Sequence, residues 1–331
     1  MMSADTSTAK VPPKRPSSSV GTPASGRAAK PPRGGRMGTA AAPWLLLAPT
    51  MVVLAVVLGY PLVRLVTLSF QDFGQSQLWG FIPTEWVGFK NFTTVLGDSV
   101  FWDVVVRTIL FTVGAVVFTM IVGMLIAMLL VRVSGWVKTL INIALVASWA
   151  MPIVVAVTVF KWMFDSDYGV VNWLLTKVGL DFEKHNWFID STQGFTIIMA
   201  LVVWGAVPFV AITLHAGLTQ VPKELEEAAR MDGAGAFKVF RYVTVPVLKP
   251  IIVMLATLSV IWDMGVFAQV FLMRGGHPEP EYQLLTTYSY DKAFVVNDYS
   301  MGSAIALLTV LLLLGVIAVY MRQMLKIGEV E

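Results

Sequence analysis

The sequence contains no cysteine. Disulfide staples, a thiolate nucleophile and zinc–thiolate coordination are therefore excluded, while the redox compartment stays open. Histidine is almost as scarce: His185, His215 and His277 stand far apart. Neither H-E-x-x-H nor G-x-x-x-x-G-K-[ST] occurs, so neither that metalloprotease helix nor a phosphate-cradling loop is encoded. Charge is thin as well. Charged residues make up 14% of the chain, against about a quarter in soluble domains. The net charge of +3 is small. No catalytic residue, no metal site, no cofactor in this chain and no nucleic-acid partner are expected.

What is abundant is apolar. Hydrophobic residues reach 56% and the mean hydropathy is +0.72. That much apolar surface cannot be hidden in one water-surrounded core, so an all-α multi-pass membrane protein is expected, with lipid around it. Residues 1–42 differ: rich in Pro, Ser, Ala and basic residues, they read as a disordered basic tail. A signal peptide is the competing reading, but the basic stretch and the apolar run after it are both too long for one. From residue 43 to 331 a single six-span domain is expected. Its apolar runs are Trp44–Val63, Thr108–Val131, Thr139–Phe160, Phe195–Leu218, Ile251–Met273 and Met301–Met321. Pro49, Pro152 and Pro208 lie inside runs, as membrane helices tolerate.

Basic residues set the orientation. With a cytoplasmic N-terminus, inner segments hold sixteen Lys and Arg and outer loops hold five. The positive-inside rule then places both termini in the cytoplasm and the chain in the cell membrane. Arg64, Arg107 and Lys161 fall at outer span ends, where long basic side chains can snorkel. This charge count also makes the fourth loop, 219–249, cytoplasmic.

That loop reads as a short helix, a glycine turn and a second short helix. Pro222 suits a first helical turn, Glu224, Glu226 and Glu227 complement the helix dipole, and Gly233 permits a left-handed stop. The second helix is expected over about 236–242, ending before Pro246. Such a segment by itself is also compatible with a plain amphipathic connector. Its spacing is more specific. Glu227-Ala228-Ala229, three residues, Gly233, nine residues, then Val243-x-Val245-Pro246 resembles the E-A-A-x3-G-x9-I-x-L-P signature of binding-protein-dependent ABC permeases. The two valines replace Ile and Leu and keep the positions apolar. Gly59-Tyr60-Pro61, Val87-Gly88-Phe89-Lys90-Asn91-Phe92 and Arg274-Gly275-Gly276-His277-Pro278 are similar to the carbohydrate-importing subgroup, the larger maltose and glycerol-3-phosphate permeases, over about Trp44–Arg322. His277 stands where that subgroup has a third glycine.

The resemblance implies a type I ABC importer fold and a permease that does no chemistry itself. It further implies a second homologous permease, two cytoplasmic nucleotide-binding ATPase subunits carrying ATP and magnesium, and an extracytoplasmic solute-binding protein. Its coupling loop corresponds here to Glu227, Ala228, Ala229, Asp232, Gly233 and Pro246, with Arg230 and Asp232 as solvated rim. A sugar or oligosaccharide is the expected solute. Asp263 is the one charged residue inside a run, which marks it as functional, or else as a packing partner for another helix. With Trp262, Phe267 and Gln269 within two helical turns, it is the expected substrate path. His215 is expected to be an interface residue. An ion-coupled secondary transporter is the alternative function, but one intramembrane carboxylate gives it little to work with, and it leaves the loop pattern unexplained. An intramembrane enzyme lacks its constellation of groups.

Overall fold

A computed structural model describes residues 37–328; the segment 1–36, most of the expected tail, lies outside the described residues. The chain divides into two units that meet at Val56 and Val57. In the first, a helix runs over Met37–Leu54, so it begins six residues inside the segment read as tail.

Among its described residues the second unit is mostly helical, with one hairpin of two-residue strands, Gln71–Asp72 against Glu85–Trp86. Among the described residues, five helices are long and apolar enough to cross a membrane: Leu46–Ser69, Ser99–Arg132, Ser191–Leu218, Ala236–Met264 and Tyr299–Arg322. The bent pair Gly135–Trp149 and Ile153–Met163 makes a sixth when its two halves are taken as one broken span. Apolar runs mark where a helix is hydrophobic, not where it ends. The second span therefore starts at Ser99, nine residues before the expected run, because Asp98 caps it and accepts from Val100 N at 2.9 Å. Asp190 likewise caps the fourth, accepting from Gln193 N at 2.9 Å.

Two expectations need correction. The third span, expected to run unbroken over Thr139–Phe160, turns by 101° at Ala150-Met151-Pro152. Proline pushes its predecessor out of the helical region and cannot donate backward, which favours a break here. The fifth span, expected over Ile251–Met273, instead ends at Met264. The chain breaks at Gly265 and restarts as the helix Ala268–Met273.

The second and fourth spans form the centre of the bundle. Gly123 lets them approach closely: a Cβ there would lie 2.6 Å from Val210 Cγ1. Phe111, Ala115, Ile197, Ile198 and Leu201 make one core with Val157, Val270 and Leu284. Ala127, Val210, Leu214 and Leu255 make another. Asn91 donates to Ser69 O and Gln71 O, at 3.0 and 2.8 Å, tying the end of the first span to the hairpin. Arg107, at a span end, has specific partners. It donates to the carbonyls of Pro280 and Gln283, at 2.8 and 3.0 Å, and so holds the loop before the sixth span. In the Arg274–Pro278 turn the left-handed residues are Gly275 and Gly276, with φ of 67° and 90°. His277 is not left-handed, so this turn does not require a third glycine.

Candidate functional sites

Two places gather the residues singled out by sequence. The first is the loop between the fourth and fifth spans. Its helix is Lys223–Met231, with Pro222 as the extended residue before it rather than in its first turn. The helix ends in a Schellman turn: Ala234 N donates to Ala229 O and Gly233 N to Arg230 O, both at 3.0 Å. Gly233 has φ of 82°, and a Cβ there would meet nothing within 4 Å. Conformation alone, not crowding, demands glycine at this position. Glu227, Ala228, Asp232 and Pro246 are exposed and Ala229 is half-buried. Arg230 pairs with Glu226 at 3.5 Å on the exposed face.

The expected second short helix is not a separate element. After extended Gly235 the chain enters one helix that runs from Ala236 to Met264. Within it, Phe240–Thr244 forms a π turn in which Val245 N donates to Phe240 O. Pro246 accounts for the irregularity: it has no N–H to offer the Tyr242 carbonyl one turn back. Sequence reasoning overlooked the apolar side chains that this segment exposes, Met231 at 88%, Phe237 at 75% and Tyr242 at 71%. Large apolar groups inside a charged loop were the available signal.

The second place is a cavity of about 300 Å³ where the break in the third span faces the fourth span and the end of the fifth. Ser148, Trp149 and Met151 line it from the break, Trp204, Gly205 and Ala206 from the fourth span. Trp262, Asp263 and Gln269 complete it. Three of the four residues expected on the substrate path thus meet in one space. The fourth does not. Because the helix breaks at Gly265, Phe267 leaves its phase and packs on Phe271 and Tyr290, at 4.9 and 5.3 Å between centroids.

Asp263 lies at the end of its helix, not at mid-span. It is 3% exposed, and its Oδ2 has no hydrogen-bond partner. Ser148 Oγ, in the same cavity, is also buried and unpartnered. Buried polar atoms without partners cost about 1–3 kcal/mol each, so two in one space mark a place that a ligand can satisfy. Trp149, Phe209 and Trp262 form a row across the third, fourth and fifth spans, with centroids 6.5 and 5.4 Å apart. Sequence reasoning could not find Ser148, Trp149 or Trp204, because nothing local ties them to Asp263. His215, in the last turn of the fourth span, has a buried Nε2 without a partner and lines no described cavity holding these residues.

Comparison with known proteins bears on both places. Residues 119–326 match the family described as "Binding-protein-dependent transport system inner membrane component". The chain is 44% identical over 293 residues to the diacetylchitobiose uptake system permease protein of Streptomyces coelicolor, covering 88% of this chain and 89% of that one. It is 34% identical over 278 residues to the sulfoquinovosyl glycerol transport system permease protein of Agrobacterium fabrum, covering 84% and 88%. The fold is similar to a crystal structure of a bacterial ABC transporter involved in importing the acidic polysaccharide alginate, with a TM-score of 0.74 at 20% identity, over 88% of this chain and 99% of that one.

Proposed function

The chain belongs to the family of inner membrane components of binding-protein-dependent transport systems, and on that premise we propose that it is a sugar- or oligosaccharide-importing permease working by alternating access. Its partners are a second homologous permease, two cytoplasmic nucleotide-binding ATPase subunits and an extracytoplasmic solute-binding protein. ATP and magnesium are bound by the ATPase subunits, and no covalent chemistry occurs in this chain. Both termini are cytoplasmic, in keeping with the positive-inside count.

The observation that carries the reading is the exposed helix Lys223–Met231 with its Schellman turn at Gly233. A rigid helix ending in a fixed turn, flanked by exposed Met231 and Phe237, suits docking into a groove of an ATPase subunit. Glu227 offers a carboxylate to basic groups there. Closure of the ATPase pair then reaches the membrane as a push on the fourth and fifth spans, opening the path outward, and hydrolysis returns it inward. Names of relatives support a saccharide as cargo, as do three tryptophans and unpartnered hydrogen-bonding atoms in the cavity, since aromatic faces and polar groups together suit sugar rings.

Gly233→Ile tests this. A β-branched residue at φ of 82° costs on the order of 1–3 kcal/mol of local strain, which the turn avoids by refolding. Membrane insertion should persist, while uptake and co-purification of the ATPase should both be lost. Wild-type uptake in that variant overturns the assignment of the loop.

A further inference from the structure

Resting on the reading that the cavity lies on the solute path, we infer that the cavity sorts solutes by charge: it accepts saccharide units that are uncharged or carry an ammonium group and rejects those bearing a carboxylate, sulfonate or phosphate. Asp263 is the sole charged residue among those lining it. No lysine or arginine shares the space, and Asp263 Oδ2 has no donor. An anionic solute would therefore bring like charge against a carboxylate where little water can screen it, which is costly, while a hydroxyl or ammonium group donates to the vacant acceptor. Ser148 Oγ and the Gln269 amide add donor and acceptor capacity to the same space. The faces of Trp149, Trp204 and Trp262 supply apolar contact for the ring. At about 300 Å³ the space is at the small end of ligand sites, so it takes about one sugar unit at a time. Each unit of an oligosaccharide then passes the same carboxylate.

The test uses the whole importer, with its partner permease and ATPase subunits, in lipid nanodiscs. Tryptophan fluorescence is titrated with N,N′-diacetylchitobiose (neutral), chitobiose (cationic) and digalacturonate (anionic). Digalacturonate should bind at least about tenfold more weakly than the other two, as expected for like charges brought together. In Asp263→Asn that gap should fall below about threefold, through tighter digalacturonate and weaker chitobiose binding. Equal binding of all three by wild type, or an unchanged gap in Asp263→Asn, overturns the inference. Gly205→Phe separates this from failure of the path itself, because a Cβ at Gly205 meets nothing within 4 Å and the ring would fill the cavity. If that variant blocks binding and uptake while the gap ignores Asp263, only charge sorting fails. If it leaves both intact, or if none of the three sugars binds wild type, the path reading and the inference fail together.

Discussion

Arg274 and Glu279 show how single side chains fix the loop after the fifth span. The Arg274 guanidinium lies 4.2 Å from the centroid of the Tyr282 ring and donates from Nε to Glu279 at 2.8 Å. That hydrogen bond holds the Glu279 carboxyl below its usual range. A carboxyl depressed in the folded state stabilises above its unfolded pKa and loses that contribution as pH falls through the folded value. Glu279→Gln should therefore lower the melting temperature at neutral pH, and the difference from wild type should close below about pH 4. Glu279 is about half exposed, so the effect is small, as for other solvated pairs. A difference that persists at low pH would assign the loss to packing of the turn instead.

At the scale of elements, the irregular turns carry the most information. Pro246 leaves the Tyr242 carbonyl without its usual donor, and the π turn Phe240–Thr244 absorbs the mismatch. Pro246→Ala restores that donor. The extra residue of the π turn should then relax into regular helix, rotating Phe237 by about 100° relative to Met264. Uptake should fall while the melting temperature holds or rises, and unimpaired uptake would sink the idea that this turn aims the docking face. The same irregularities mark the limits of sequence reasoning. Pro152 was visible, but whether a proline kinks a span or breaks it by 101° depends on neighbours packed against it, which hydropathy does not encode. Gly265 lies inside a run whose one charge is Asp263, and a lone glycine does not fix a helix end, so nothing local announced the end of the fifth span or the departure of Phe267 from the space shared by Trp262, Asp263 and Gln269. Gly233 was legible because its chemistry is local: a left-handed stop three residues beyond Ala229-Arg230 needs no distant partner. Ser148 and Asp263 meet through tertiary packing alone.

For the whole molecule, apolar side chains cover much of the outside. Val113, Val117, Ile121 and Leu125 form an exposed stripe along the second span at one-turn spacing, each about half or more exposed. Lipid can cover such a stripe, and so can the second permease proposed above as a partner. Co-expression with that permease should raise the monodisperse fraction on size-exclusion chromatography over the chain expressed alone. An equal, monodisperse yield for the lone chain would argue that lipid suffices.

The helix Ala236–Met264 starts two residues after the Schellman turn and ends one residue past Asp263. At 1.5 Å per residue its 29 residues make a rod of about 43 Å. A rod of that length is a lever: a tilt of about 10° at the loop end moves the cavity end by about 7 Å, more than one helical turn. The carboxylate can thus shift by more than a helical turn relative to the fourth span without any side chain changing rotamer.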